Sequence, residues 1–311
     1  MSAVQENAAN GGAGQSQSAV EVETPFRRFV ADYMENKIAV FGLVSVFLVV
    51  LIALFGPLIA PTDPYDLASV TFMDNKLAPG EQMGSGVTAL LGTDGLGRDM
   101  VSAMIYGLRI SLGVGIGSGI IALLIGVTFG LCAAYFGGKV DTVIMRIVDI
   151  QLSFPAILVA LVLLATLGKG VDKIIAALVV VQWAYYARTV RGSALVERRR
   201  EYIEAATCLG LSKPRVIFRH MLPNCLPPLI VVATMQVAHA ISLEATLSFL
   251  GLGLPVTEPS LGLLIANGFE YIMSGMYWIS VYPGLALLFT IVTINLVGDR
   301  LRDVLNPRLQ K

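Results

Sequence analysis

The chain has 311 residues, of which 55% are hydrophobic and only 14% charged, against roughly 25% charged residues in a soluble domain. Its 22 basic and 22 acidic side chains cancel to a formal net charge of zero, which argues against the basic surface that nucleic-acid binding needs. Cys132, Cys208 and Cys225 have no paired spacing and no accompanying histidine set, so they read as buried or cytosolic thiols, not as disulfides or a metal site.

Residues 1–24 are rich in Ala, Gly, Gln, Ser and Asn and are expected to form a disordered N-terminal tail. Residues 25–60 are expected to hold an amphipathic segment and a first membrane helix. Arg27, Arg28 and Lys37 precede an apolar run too long for a signal-peptide core. A helix needs about 20 apolar residues to cross a bilayer. Uncharged runs occur at Ile38–Ile59, Ile110–Phe136, Ile150–Leu167, Ile174–Ala187, Met221–Leu243 and, within Tyr271–Gly298, from about Ser280 onward. The fourth run has only 14 residues, and Arg188 and Arg191 beyond it are expected to snorkel and lengthen it. The expected architecture is an all-α membrane protein with six transmembrane helices.

Lysine and arginine set the orientation. With the N-terminus inside, 17 of the 22 basic residues lie on the cytoplasmic side; Lys76, Arg98, Arg109, Lys169 and Lys173 are the five outside. Both termini and the segment around Glu201–Pro223 are therefore placed in the cytoplasm. The predicted organisation is the tail 1–24, the first helix and its leader 25–60, and an extracytoplasmic loop 61–106. A core 107–298 follows, with five transmembrane helices and a cytoplasmic loop 193–223, and then a cytoplasmic tail 299–311.

The outer loop contains Gly92-Thr93-Asp94-Gly95-Leu96-Gly97-Arg98-Asp99. These glycines do not follow a strand in a βαβ unit and are not a dinucleotide fingerprint. In the second span Gly113/Gly117, Gly115/Gly119 and Gly126/Gly130 are each four apart, a spacing that lets helix backbones approach closely in lipid. Both an interface with a second subunit and packing inside this bundle satisfy that pattern. Arg146 and Asp149 are three apart and are expected to pair locally, and Pro155 is expected to kink the third span. Polar side chains within apolar spans are functional candidates. Gln182, Gln236, His239 and Glu244 qualify, the last three as candidates for a translocation pathway or its outer mouth, with a structural hydrogen bond as the other account of Glu244. His239 and Glu244 lie about 140° apart around a helix and do not share a face. Tyr277 and Trp278 suit a membrane interface.

Between two apolar runs lies EYIEAATCLGLSKPRVIFRHMLP, Glu201–Pro223. It reads as helix, turn, helix: Ala205 and Ala206 favour the first helix, Gly210 suits a left-handed cap, and Ser212 and Pro214 suit the start of the second. Arg215 and Arg219 fall on one face, and Pro223 discourages regular helix beyond it.

Glu204-Ala205-Ala206, Gly210 and Leu222-Pro223, at this spacing, resemble the EAA loop of ABC-importer permeases, with His220 where that pattern usually has an aliphatic residue. The Gly92–Asp99 stretch is similar to the LGTD-x-x-GRD signature of the dipeptide/oligopeptide (C-type) permeases. Ala103 stands where that family often has Arg. Gly137-Gly138, Asp141, Arg146, Asp149, Phe154-Pro155, Leu243–Gly253 and Gly298–Pro307 continue the likeness over roughly residues 25–308.

The resemblance implies a type I ABC importer permease fold in a bacterial inner membrane. It implies an ATPase-coupling loop carried by Glu204, Ala205, Ala206, Gly210, Arg215, Leu222 and Pro223, and an extracytoplasmic signature carried by Gly92, Thr93, Asp94, Gly97, Arg98 and Asp99. The implied partners are a homologous second permease, two ABC ATPase subunits and an extracytoplasmic substrate-binding protein. ATP and Mg would be bound by the ATPases, since this chain has no G-x-x-x-x-G-K-[ST] loop and no cofactor or catalytic constellation is expected in it. The rival classes are an ion-gradient-driven secondary transporter, which would want coupling carboxylates at midplane, and an intramembrane enzyme, which would want converging catalytic groups.

Overall fold

The computed structural model describes residues 25–66 and 72–305; the expected tail 1–24 and the last six residues of the chain lie outside this range. Among the described residues there is no strand, only isolated bridges at Gln82↔Thr88 and Thr93↔Asp99. Helix α1 (Pro25–Met34) is followed by α2 (Lys37–Phe55), whose start is capped by the Asn36 side chain accepting from the amides of Ile38 and Ala39. Helix α3 (Met100–Phe136) begins inside the stretch expected to be loop, because Asp99 caps it by accepting from the amide and hydroxyl of Ser102. Helices α4 (Gly138–Ser153), α5 (Ala156–Leu167), α6 (Val171–Glu197) and α7 (Glu201–Cys208) follow. After them come a single turn α8 (Lys213–Arg215), a π-helical turn Val216–Met221, α9 (Leu222–Phe249), α10 (Leu261–Phe269) and α11 (Trp278–Leu305).

Among the described residues, four helical stretches are long and apolar enough to cross a membrane: Lys37–Leu58, Met100–Phe136, Lys213–Phe249 and Trp278–Leu305. The third expected span is broken. Helices α4 and α5 meet at 91°. Pro155 offers no amide to the helix, and Phe154 before it is extended at φ −93°, ψ 142°. The apolar part α5 has 12 residues, about 18 Å of helix, short of the ~30 Å hydrocarbon core. The fourth span is longer than its apolar run, with 27 residues in α6. Arg188 and Arg191, expected to snorkel beyond that run, are engaged by carboxylates of α4. Arg188 bonds Asp149, and Arg191 reaches both oxygens of Asp141 at 2.5 and 2.6 Å, strapping α4 along α6. The expected local Arg146–Asp149 pair is replaced by these inter-helix contacts.

The core is organised around α3 and α6. A Cβ on Gly126 would stand 2.4 Å from the Trp183 carbonyl oxygen, and one on Gly130 would stand 2.4 Å from that of Ala187. The two backbones therefore touch, as small residues four apart allow. Gly115 instead faces Ile241 of α9. These glycines serve packing within this chain, whereas Gly113 has nothing within 4 Å of a would-be Cβ.

Helix α10 was not read from the sequence. Its nine residues are too few for a span, yet Leu261, Leu263 and Leu264 are buried. Helix α11 continues through the predicted tail to Leu305, where Leu301 and Val304 pack on Tyr33 of α1 and Arg300 bonds the Asp32 carbonyl. Following the charge count, the end carrying α7 is called the inner end.

A leucine at position 126 has no room without parting α3 from α6. Gly126→Leu is expected to abolish accumulation of folded protein in the membrane, while Gly113→Leu accumulates normally. Detergent-solubilised yield and monodispersity on gel filtration check both.

Candidate functional site

The inner hairpin forms as its residues dictate. Helix α7 ends at Gly210, which takes φ +71°. The amide of Gly210 donates to the Thr207 carbonyl and that of Leu211 to Ala206, closing the helix end. Ser212 occupies the cap position of α8 without a side-chain capping bond, and Pro214 sits in its first turn. Pro223 does not end the helix. It falls in the first turn of α9, directly after the π turn, where the Leu222 amide donates to Ile217 five residues back. The widened turn removes the clash that a proline ring makes with a regular helix.

One face of the hairpin is sealed into the bundle. Ile203 and Ala206 pack with Val216, Ile217 and Met221 against Leu131 and Ala134 of α3 and Val190 and Ala194 of α6. The Arg198 guanidinium donates to the Ala134 carbonyl at 2.9 Å, joining the hairpin's entry to the end of α3. Tyr202 donates to Glu197 at 2.6 Å and accepts from Asn224 at 2.9 Å. Burial, then the bond to Glu197, pushes the Tyr202 phenol up to about 12, so it remains a donor throughout the physiological range. The other face is bare: Glu204, Ala205, Gly210, Arg215 and Pro223 are exposed, Leu222 is half-buried, and Leu209 is 80% exposed. Of the predicted loop residues only Ala206 turns inward.

The outer signature is a clamp. Asp94 accepts from the amides of Leu96 and Arg98 and pairs with the Arg98 guanidinium at 2.6 Å, both side chains being essentially sealed from solvent. Arg98 also donates to the Val256 carbonyl at 3.3 Å. The Thr93 hydroxyl donates to the Asp74 carbonyl and accepts from the Leu77 amide. Gly92 sits at φ +81°, where a Cβ would strike the Trp278 indole, whose N–H donates to the Thr93 carbonyl. Trp278 is thus a buried tie between the loop and α11, not a membrane-interface anchor, while Tyr277 beside it is exposed.

Gln236 and His239 line a groove of ≈460 Å³ with Tyr185, Ser242, Ile291 and Asn295. Gln236 is 8% exposed, and its amide nitrogen has no partner among the described residues. Tyr185, Ser242 and Asn295 were missed because they lie on three different segments, and only the fold brings them together. Met235 lines both this groove and a hollow of ≈830 Å³ at the inner end, walled by Glu197, Asn224, Pro227, Pro228 and Arg302. A path thus follows one side of α9 from residue 224 to residue 242. Glu244 does not line it. Fully buried, it accepts from Ser111 of α3 at 3.0 Å and Ser248 at 2.8 Å, with Ser260 of the α10 cap as a further hydroxyl partner. Gln182 is buried away from the groove. No group of side chains that could hold a metal ion occurs among the described residues.

Removing one partner of a buried ion pair leaves an uncompensated charge, at about 3–5 kcal/mol. Asp94→Ala is accordingly expected to lower the thermal unfolding midpoint and open the outer loop to protease, with Asp172→Ala, at an exposed pair, as the neutral control.

Comparison with known proteins bears on this arrangement. Residues 126–311 match the family of binding-protein-dependent transport system inner membrane components. Residues 24–79 match the N-terminal transmembrane domain of oligopeptide transport permease C. The dipeptide transport system permease protein DppC of Escherichia coli K12 is 42% identical over 93% of this chain and 95% of its own length. The di/tripeptide permease protein DppC of Pseudomonas aeruginosa is 38% identical over 92% of this chain and 93% of its own. An inward-facing crystal form of the MetNI methionine ABC transporter superposes with a TM-score of 0.55 at 22% identity, over 67% of this chain and 98% of the matched chain. That likeness concerns the fold: the helices of this chain are arranged as in an ABC importer permease.

Proposed function

This chain belongs to the family of binding-protein-dependent transport system inner membrane components, and from that premise we propose that it is the C-type permease of an ABC importer for di- and oligopeptides. It is a multi-pass inner-membrane protein. The observation that carries the mechanism is the two-sided inner hairpin. Its exposed side offers Glu204, Ala205, Leu209 and Arg215 to a partner, while its other side is packed and hydrogen-bonded to α3, α6 and α9. A rigid-body push on the hairpin is thereby delivered to the helices that line the path.

In this reading two ATPase subunits supply ATP and Mg and press on the hairpins. A homologous second permease completes the pathway, and a binding protein delivers solute to the outer face. This chain contributes no catalytic step. Gln236, His239, Ser242 and Asn295 offer uncharged hydrogen-bonding groups to the passing solute, and the Glu244 hub closes the outer end of the path. A gradient-driven transporter would want a carboxylate on the path at midspan; Glu244 lies outward of the groove and is sealed among its serines.

Gly210→Val places a β-branched side chain at positive φ, at roughly 1–3 kcal/mol of local strain. In vesicles holding the complete complex, ATP-driven uptake is expected to fall at least tenfold while the permeases still assemble, and ATP hydrolysis is expected to lose its response to the binding protein. Glu204→Lys is expected to give a defect that shifts with ionic strength, as an exposed contact should. Normal uptake by an assembled Gly210→Val complex would refute coupling through this hairpin. The chain purified alone is expected neither to bind nor to hydrolyse ATP, and uptake by it under an ion gradient would favour the secondary-transporter reading.

A further inference from the structure

We propose that a pocket at the outer end of the bundle is an entry-side subsite for a short zwitterionic solute, with Lys169 meeting the solute's carboxylate and Glu270 its ammonium group. This rests on the peptide-import reading above and assigns it a place and a chemistry. The pocket encloses ≈320 Å³, at the small end of the roughly 300–1,000 Å³ range of ligand sites. Leu254, Leu263 and Tyr271 supply apolar wall, and Asn267 a neutral polar group. Lys76 steadies the tyrosine, its ammonium 4.1 Å from the ring centroid.

The charges on the pocket are arranged for a ligand rather than for each other. Asp94 also lines it, but Arg98 neutralises Asp94 within the buried clamp. Lys169 and Glu270 line the same pocket, are exposed, and belong to no ion pair, either with each other or with another described residue. Backbone dipoles reinforce each sign. Lys169 precedes by two residues the N-terminus of the 27-residue helix α6, whose first-turn Asp172 is occupied by Lys173 at 2.8 Å. Glu270 is the residue capping the C-terminus of α10. Helix N-termini favour anions and C-termini favour cations, so a carboxylate is drawn to one side and an ammonium to the other. An extended dipeptide spans about 7 Å, which suits a small pocket and a flexible lysine.

The pocket's position is apt as well. Ser248 contributes to its wall and, on its other side, bonds Glu244. Along α9 the order is therefore inner hollow, midspan groove, buried Glu244, outer pocket. The pocket thus lies on the outer side of Glu244, and the groove and the hollow on its inner side.

The test uses right-side-out vesicles carrying the complete permease–ATPase complex, with Asn267→Cys as a reporter for an impermeant maleimide and Ala266→Cys on the same wall as a second reporter. Millimolar alanyl-alanine is expected to slow labelling severalfold. N-acetyl-alanyl-alanine, alanyl-alanine amide and the doubly blocked peptide are expected to protect about tenfold less well. With Lys169→Gln the free peptide should protect no better than its amide, and with Glu270→Gln no better than its N-acetyl form. Protection by the doubly blocked peptide equal to that of the free one, or protection by none of them, overturns the subsite. ATP-driven uptake in the same vesicles with the binding protein added reports separately on the transport reading: uptake without charge-dependent protection sinks the subsite alone, and absent uptake sinks the reading beneath it.

Discussion

The direct contact between the backbones of α3 and α6 at Gly126 and Gly130 is the constraint on which the other arrangements depend. It fixes α6, and α6 leads directly into the inner hairpin. It leaves room beside α3 for Ile203 and Ala206 to pack down, and it sets the wall from which Tyr185 reaches the midspan groove. Dispersion between backbones at that distance is sensitive to single methyl groups. The hairpin's seat in the bundle thus traces to two absent side chains some seventy residues before it in the chain as well as to its own sequence.

The hairpin itself was legible because its signals are local. Gly210 at a helix end, Pro214 in a first turn and Ala205–Ala206 in a helix need no tertiary knowledge, and the family-like spacing gave them meaning. The outer signature was legible as a motif but not as a mechanism. Nothing in the order Gly92 to Asp99 says that Arg98 reaches Val256 or that Trp278 closes over Gly92, since both contacts bridge more than 150 residues. Two readings failed for different reasons. Arg146 stands three residues before Asp149, yet Arg188 and Arg191 on the neighbouring helix claimed the carboxylates of α4 once Phe154-Pro155 had turned that helix aside. Helix α10 went unread because a nine-residue apolar stretch carries no periodic signal long enough to separate it from a loop.

Glutamate in an apolar run invites a functional reading. For Glu244 the fold favours the structural account. Hydroxyls from α3, α9 and the cap of α10 converge on its carboxyl group, so its polarity is spent on holding three helices together. His239, five residues earlier and on another face, keeps contact with the groove. Two polar residues in one helix thus take opposite roles, and the angle between them around the helix axis separates them.

The ion pairs of this chain also divide by their access to water. At the outer end Arg98 and Asp94 are 0% and 1% exposed, whereas at the inner end Arg188 and Asp149 are 53% and 58% exposed. Mobile ions screen the second pair and have no access to the first. A change in salt on the outside therefore leaves the clamp as it was. A change in cytoplasmic salt loosens the strap between α4 and α6, the helix that feeds the hairpin. The sealed clamp is insulated from the outer medium, unlike the exposed Lys173–Asp172 pair on the same face, and the strap is open to the medium on the inner face.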